Sequence, residues 1–281
     1  TNSAGDLGAA ASVSFQNRNL FRGSETFMIK FRGAYEVISG LQAGYANNNY
    51  TEFGVESSIN FPNFLFPFVS SDFKRKIRAT TEFGLQYNYQ MRPEFLRTMA
   101  SASWSYKWTQ RQKIQHRIDL INIAFLYLPR ISERFKEDYI NKGQNDIFQY
   151  NYQDRLIINM GYSYNYNSVG GAIVNNTIAS NSYSIRFNFE SAGNIMYALS
   201  KMTGIRKNAN NEYAIPYAQY IKGEFDFSKN IRIDYRNSFA FHAGIGIAVP
   251  YGNAKTIPFE KQYFSGGANS VRGWSVRDLT E

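Results

Sequence analysis

The 281-residue sequence predicts an all-β fold and, within that class, an antiparallel β-barrel that spans a membrane. Apolar and polar residues alternate with a period of two along most of the chain. Aromatic residues make up 17% of the sequence, yet the mean hydropathy is negative, at -0.42. Strands with one apolar and one polar face give this combination, because successive side chains of a strand point to opposite faces.

The alternation predicts about ten strands and is clear from Thr26 onward. The other clear segments lie at 53–61, 83–89, 102–108, 156–166, 183–189, 221–227 and 239–249. Each is close to the roughly nine to eleven residues that a tilted strand needs to cross a bilayer. We expect the following residues to face outward: Phe27, Ile29, Phe31, Phe53, Val55, Phe187 and Phe225. We expect the following to face the lumen: Glu56, Arg186, Glu190, Glu224 and Asp226.

A soluble β-sandwich also alternates, but its strands are shorter and its turns recur about every 8–12 residues. Here the polar positions combine Glu, Asp, Lys and Arg, which suits a water-filled lumen. Aromatic residues gather near segment ends, at Trp104, Trp108 and 162–166. Tyr and Trp favour membrane interfaces, so pattern and length favour the membrane barrel. No apolar run approaches the roughly 18 residues of a membrane helix.

The connections between segments alternate in length, though not strictly. Short ones lie at 21–25 and 109–112, and long ones at 129–152 and 194–219. Outer-membrane barrels have short periplasmic turns and longer external loops. The linkers 61–72 and 167–181 are longer than this rule prefers. Short helices are predicted after Ser132 and over 194–202, and we interpret both as parts of loops packed over the barrel mouth.

The composition excludes several kinds of site. The chain has no Cys, which excludes a disulfide, a Cys nucleophile and a thiolate metal site. His116 and His242 are the two histidines and lie far apart in sequence, and neither has a catalytic motif around it. Gly266-Gly267 lacks the Lys-Ser/Thr of a phosphate loop. We therefore predict a non-enzymatic protein with no catalytic residue, cofactor or metal.

The net charge of +9 suits nucleic acid or an anionic membrane surface as a partner. Lys and Arg are nevertheless scattered along the chain. The densest run, Lys74-Arg75-Lys76, lies between two strand-like segments. We interpret it as a solvated turn and predict no nucleic-acid partner.

The most specific motif follows the segment 239–249 and reads Gly-Gly-Ala-Asn-Ser-Val-Arg-Gly-Trp. Its glycines allow the backbone to turn sharply close to a wall, and its arginine presents a planar fork of donors. A cation inside a barrel needs water or acidic partners. The candidate site residues are Gly266, Gly267, Asn269, Val271, Arg272, Gly273 and Trp274.

This stretch resembles the signature of the BamA/TamA superfamily of outer-membrane assembly and translocation barrels, the bacterial surface antigen family. There Val/Ile-Arg-Gly and an aromatic residue lie on a long extracellular loop that folds into the lumen. Trp274 stands where Phe or Tyr is usual. Residues 19–25 resemble the family's first periplasmic turn. The stretches FGVESSINFPNFLFPF and FNFESAGNIMYAL resemble Bacteroidetes-type, TamA-like members, and the resemblance covers most of the chain.

The resemblance implies that residues 1–281 are part of a sixteen-stranded barrel and that 253–281 form the lumen-directed loop. Family barrels follow periplasmic POTRA domains. By this alignment the POTRA domains, the first strand and the last five strands lie outside the sequence. The acids that pair with Arg272 are then expected on strands after Glu281.

The resemblance also implies a function and partners. The first hypothesis is an integral outer-membrane protein of Gram-negative bacteria that assembles, inserts or translocates other outer-membrane proteins, with its loop anchored by Arg272. Its partners are then outer-membrane lipid and lipopolysaccharide, nascent outer-membrane proteins, and a periplasmic or inner-membrane protein reached through N-terminal domains. The alternative is a secretion pore or porin-like channel for soluble protein or small solutes. A third class, an enzyme barrel such as a phospholipase, requires a Ser-His pair that the sequence does not place.

Overall fold

The structure is a computed structural model that describes residues 7–37, 49–133, 154–169, 181–203, 217–234 and 236–266. The all-β prediction is confirmed, because these residues form one antiparallel ten-stranded sheet in which sequence neighbours pair in order. The strands are β1 (Leu7–Arg18), β2 (Thr26–Val37), β3 (Asn49–Phe61), β4 (Thr80–Met91), β5 (Phe95–Gln110), β6 (Ile114–Ile131), β7 (Arg155–Asn167), β8 (Asn181–Ala192), β9 (Tyr220–Arg232) and β10 (Ser238–Pro250). The helices are α1 (Ser71–Ile77) and α2 (Asn194–Thr203), followed by a 3-10 turn (Phe259–Lys261).

The strands are longer than the sequence predicted. They contain 12 residues or more, and β6 reaches 18. In β6 the alternation changes parity at a bulge, because Asp119 pairs with Gly161 while Asn122, three residues on, pairs with Asn159. Gly161 and Asn159 share one face of β7, so Asp119 and Asn122 also share a face despite their odd spacing. The bulge therefore interrupts the alternation of apolar and polar residues in the sequence of β6.

The two faces of the sheet differ in polarity as expected. Ion pairs cross neighbouring strands on one face, for example Lys107 to Glu82, where Nζ lies 2.6 Å from Oε2. On the opposite face many large apolar side chains are exposed, because no layer formed by the described part of the chain covers them. The predicted outward residues in this exposed set are Phe31, Phe53, Phe187 and Phe225. A sheet with an uncovered apolar face matches the outer wall of a membrane barrel.

Rings form a band on the apolar face close to one end of the sheet. The ring centroids of Phe83 and Trp104 are 5.4 Å apart, and those of Trp108 and His116 are 4.7 Å apart. The band continues across β7 to β10, with 5.3 Å between Tyr166 and Tyr183 and further contacts from there to Phe227 and Phe241. Such a band marks a membrane interface. We call these rings the aromatic girdle.

The girdle lies at the end of the sheet that carries the short turns, which connect β1 to β2, β5 to β6 and β9 to β10. In the first turn the carboxylate of Glu25 accepts from the N–H of Phe21 at 3.2 Å and of Gly23 at 2.9 Å. Backbone N–H groups, first its own and then those two, hold the pKa of Glu25 below its ordinary value. The turn therefore keeps this acceptor charged at neutral pH.

Length alternation of the connections holds with three exceptions. The long connections between β6 and β7 and between β8 and β9 lie at the end opposite the girdle. The turn between β4 and β5 lies at that end too but is tight, since the N–H of Arg92 donates to Phe95 O at 2.9 Å. Two linkers are long although they lie at the girdle end, 62–79 between β3 and β4 and 168–180 between β7 and β8.

Local helical structure differs from the expectation at one point. The Lys74-Arg75-Lys76 run is not a turn but part of α1, where Ser70 Oγ accepts from the N–H of Phe73 as an N-cap. The helix predicted over 194–202 is confirmed as α2. The helix predicted after Ser132 lies beyond Glu133, outside the described residues. Neither α1 nor α2 has the length and apolarity to cross a membrane.

The first part of the β3–β4 linker lies on the apolar face instead of projecting away from it. Thr81 Oγ1 donates to Asn63 O at 2.8 Å and accepts from the N–H of Leu65 at 2.9 Å. The hydroxyl of Tyr106 donates to Leu65 O at 3.3 Å, and its ring meets that of Phe64 edge-on at 4.6 Å. Thr81 and Tyr106 are buried by these contacts. We call residues 61–70 the strap.

The opposite faces of β4 give a direct test of membrane orientation. We expect Leu85→Arg to destabilise the membrane-inserted barrel by about 2–4 kcal/mol, because the cation would face hydrocarbon. Leu85 is exposed on the apolar face. Gln86→Arg is the matched control, since the adjacent side chain lies on the polar face opposite Glu56. Urea unfolding from lipid vesicles measures both; equal effects would contradict the assignment of the faces.

Docking of the strap depends on Thr81. We expect Thr81→Val to weaken strap docking by about 1–3 kcal/mol, because Asn63 O and the Leu65 N–H lose a buried partner. Hydrogen exchange of residues 62–68 measures this change. Thr80→Val serves as the control, since Thr80 Oγ1 donates to Lys107 O and does not contact the strap. Unchanged exchange in Thr81→Val would show that the hydroxyl does not hold the strap.

Candidate functional site

The chain reverses after β10 and returns across the polar face of the sheet. Residues 251–266 contact side chains or backbone of β5, β8, β9 and β10. We call them the inward segment. This arrangement places a covalently attached polypeptide on the face that lines the lumen of a barrel.

A buried glutamine fixes the reversal. Gln219 Oε1 accepts from the N–H of Asn253 at 2.8 Å, and Gln219 O accepts from the N–H of Tyr251 at 3.1 Å. Asn253 Nδ2 donates to Tyr217 O at 2.9 Å. Gly252 has a positive φ of 65°, and a Cβ at this position would overlap the Gln219 amide. Glycine is therefore required where the backbone passes closest to Gln219.

A small apolar cluster supports the inward segment from the sheet. Ile157, Ala192, Ala218 and Tyr220 form its buried centre, and Ile257 of the inward segment packs against it. Burial of apolar surface favours the docked position of the segment. The cluster lies at the end of the sheet opposite the girdle, where β7 begins and β8 ends.

Glu190 on β8 is the centre of the polar contacts. Lys261 Nζ lies 2.8 Å from its Oε1 and 2.9 Å from its Oε2. Asn159 Nδ2 donates to Oε1 at 2.6 Å, and the buried Tyr220 hydroxyl donates to the same oxygen. Three donors thus hold one carboxylate in a single orientation, which fixes where Lys261 binds.

Two further contacts spread the inward segment over the sheet. Arg97 on β5 pairs with Glu260, with Nη2 3.0 Å from Oε1. Lys222 Nζ lies 4.2 Å from the centroid of the Tyr263 ring, a cation–π contact. A Cβ on Gly246 would approach that ring to 2.6 Å, so glycine makes room for it. The segment therefore bridges β5 to β10.

The hydroxyl of Tyr263 stays protonated at neutral pH. Burial, and then the nearby carboxylate of Glu224, raise the pKa of Tyr263 to about 12. The hydroxyl donates to Gly223 O at 3.1 Å. The pKa of Tyr263 in the folded protein exceeds the ordinary value of 10.0. The stability that the protonated hydroxyl contributes to the fold is therefore complete below pH 10.0 and is lost as pH rises through about 12.

A second polar feature lies near the girdle end of the same face. A cavity of about 680 Å³ is lined by basic side chains that include Arg78, Lys107, Arg117 and Arg186. Lys107 pairs with Glu82, and Arg117 Nε lies 2.7 Å from Asp119 Oδ1. The lumenal face thus has a polar cavity, and part of its positive charge is neutralised.

The structure describes one of the seven sequence-predicted site residues. Gly266 is buried and has a positive φ of 102°. Gly267, Asn269, Val271, Arg272, Gly273 and Trp274 lie outside the described residues. The expected lumen-directed loop, 253–281, therefore has a described part, 253–266, which lies on the polar face. The anchoring role of Arg272 stays a prediction.

Sequence reasoning missed the residues that hold the described part. It placed Glu190 on the lumenal face but assigned it no partner, and it did not single out Lys261 or Gln219. The alternation in β8 carried the signal for the orientation of Glu190. No comparable signal identifies Lys261, which lies in an irregular stretch 71 residues away. Among the described residues no group of three His, Asp or Glu side chains is arranged for a metal ion.

Comparisons with known proteins agree with this geometry. A search of curated proteins found no match. Among solved structures, BamA from Haemophilus ducreyi lacking POTRA domains 1–3 matches with a TM-score of 0.52 and 14% identity over 97% of this chain. The chain corresponds to 46% of that structure, about half its length, and the likeness shows a shared fold.

The family comparison is more specific than the structural likeness. The family model described as the Omp85 superfamily domain matches residues 9–281, nearly the whole sequence. The ten-stranded sheet, its uncovered apolar face and the segment on its polar face are the structural counterparts of that match. The chain belongs to the Omp85 superfamily.

Proposed function

We propose that this chain is part of an integral outer-membrane barrel of Gram-negative bacteria that assembles, inserts or translocates other outer-membrane proteins without a chemical step. The match of residues 9–281 to the Omp85 superfamily domain carries the proposal. The stretches that resemble Bacteroidetes-type, TamA-like members support that subtype. Its partners are outer-membrane lipid and lipopolysaccharide, nascent outer-membrane proteins, and a periplasmic or inner-membrane protein.

The proposed mechanism uses exposed strand edges and a docked loop. An unpaired edge offers N–H and C=O groups on which a client strand can form. The inward segment, held by Glu190, positions residues 267–281, and Arg272 anchors that stretch to acids on the inner wall.

A secretion pore is the second candidate, because the lumenal face is polar and encloses the basic cavity beside Arg186. A pore conducts ions or solute through the lumen and should conduct more when the inward segment is removed. An assembly protein instead changes the levels of other barrels in the outer membrane. Depletion of the full-length protein, followed by quantification of outer-membrane proteins and of secreted proteins, separates the two. Normal outer-membrane protein levels after depletion would contradict the first proposal.

The Glu190 contact gives the first functional prediction. We expect Lys261→Met to weaken docking of the inward segment by about 1–3 kcal/mol, because a charge-assisted hydrogen bond is lost. Protease cleavage within 251–281 of the inserted barrel measures undocking. Lys255→Met is the control, since Lys255 is exposed in the same segment. Glu190→Gln should reproduce the loss, and the double variant should add little to it. Additive effects would show that the pair does not hold the segment.

The arginine of the motif gives the second prediction. We expect Arg272→Ala to mobilise residues 267–281 and lower client levels while the barrel itself remains inserted. Arg272→Lys should restore part of both, because an ammonium group cannot reproduce the planar fork. Protease access to the loop and client abundance are the measurements. Wild-type behaviour of both variants in both assays would show that Arg272 is an ordinary loop residue.

A further inference from the structure

At the girdle end, three large apolar side chains of the strap and α1 are exposed to solvent. The side chain of Phe68 is 87% exposed, that of Phe73 45% and that of Leu65 42%. All three lie in the linker between β3 and β4 and not on a strand. A linker that crosses water has no physical reason to present this many large apolar side chains.

The position of the strap on the sheet indicates the depth of these groups. Phe66 stacks on Phe64 and meets Tyr106 at 6.1 Å, and Tyr106 meets Trp104 of the aromatic girdle at 5.9 Å. The strap thus extends the girdle outward from the wall at the same level. A girdle marks the boundary between hydrocarbon and headgroups, so the exposed apolar groups of the strap lie at that boundary.

The residues that follow the strap are basic. Between Phe61 and Ala79 there are four cations, Lys74, Arg75, Lys76 and Arg78, and one carboxylate, Asp72. Arg75 and Lys76 are exposed. An apolar group at the interface followed at once by exposed cations is the arrangement of surface-binding helices, which bury their rings and keep their charges among lipid phosphates.

An apolar groove on the same face adjoins the strap. Phe83, Leu85, Trp104, Ile121 and other large side chains form its walls, while smaller ones, Ser57 and Ala102 among them, leave it hollow. The groove has a volume of about 340 Å³. On the lipid-facing side of a barrel, such a groove is filled by acyl chain.

We propose that residues 61–78 form a membrane-surface anchor specific for anionic phospholipid. Leu65, Phe68 and Phe73 enter the leaflet at the short-turn end, an acyl chain occupies the groove beside Trp104, and Arg75 and Lys76 bind the lipid phosphates. The anchor rests on the proposed membrane location of the barrel. The β3–β4 linker, which is the longest connection at the girdle end, thus has a function distinct from that of the inward segment.

Insertion of the strap is tested by quenching in vesicles that contain the full-length protein. The 281 residues include no Cys, and any Cys elsewhere in the full-length protein is first replaced by Ser, so that Phe68→Cys can be labelled with a fluorophore at a defined position. We expect the label to be quenched by phosphatidylcholine brominated on its acyl chain and to be shielded from aqueous iodide. A label at Gln112→Cys, in the exposed β5–β6 turn at the same end, should show the reverse.

A third label separates failure of the anchor from failure of the barrel. Leu85→Cys places the fluorophore on the outer wall. Lipid quenching at position 85 without lipid quenching at position 68 would overturn the anchor alone. The absence of lipid quenching at both would overturn the membrane barrel as well. A label at position 68 that neither lipid nor iodide quenches would show that protein covers the strap, which also overturns the anchor.

Lipid specificity is tested with brominated phosphatidylglycerol as a minor component of phosphatidylcholine vesicles. We expect stronger quenching at position 68 by brominated phosphatidylglycerol than by the same amount of brominated phosphatidylcholine. The double variant Arg75→Gln, Lys76→Gln should reduce the preference for phosphatidylglycerol by about fivefold for each cation that contacts the headgroups. Arg111→Gln with Lys113→Gln removes two cations from the neighbouring turn and should preserve it. Equal loss in both pairs would attribute the preference to net charge and overturn a specific anchor.

Discussion

The absence of water inside a bilayer is the constraint on which this structure depends. Each backbone N–H and C=O that enters hydrocarbon must be paired within the protein, and in a sheet these hydrogen bonds come from the neighbouring strands. The order from β1 to β10, with every sequence neighbour paired, satisfies that requirement for eight strands on both sides.

The sequence revealed the two faces well because they meet different solvents. Phe187 and Glu190 lie three residues apart on β8, and the period of two alone assigns them to opposite faces. The same signal fails in β1, where Gly, Ala and Ser carry little information about facing, and in β6, where the bulge after Asp119 changes the parity. The local sequence thus indicates on which face of the sheet a side chain lies, whereas strand length and bulges depend on how neighbouring strands pair.

The candidate site was predicted only in part, for a related reason. Alternation tells which wall a side chain faces but not which distant residue it meets. Glu190 and Lys261 meet because the chain reverses at Gly252, and that reversal depends on Gln219 in a separate connection. The basic run 74–76 was misread because Ser70 caps a helix there, and the strap was missed because Thr81 and Tyr106 draw it onto the wall.

The ion pairs that hold the inward segment are partly exposed. The side chains of Lys261 and Glu190 are each about a quarter exposed, 26% and 24%, so water screens their attraction. Arg97 with Glu260 and Lys222 with Tyr263 are likewise modest contacts on different strands. Several weak contacts can open in succession without breaking the backbone ladder of the wall, which a single deeply buried ion pair would not allow. Buried groups hold the rest of the inward segment, through Gln219 and the cluster around Tyr220, just as the buried Thr81 and Tyr106 hold the strap. Two segments outside the strands therefore return onto the sheet, one on its polar face and one on its apolar face, and the sheet separates them.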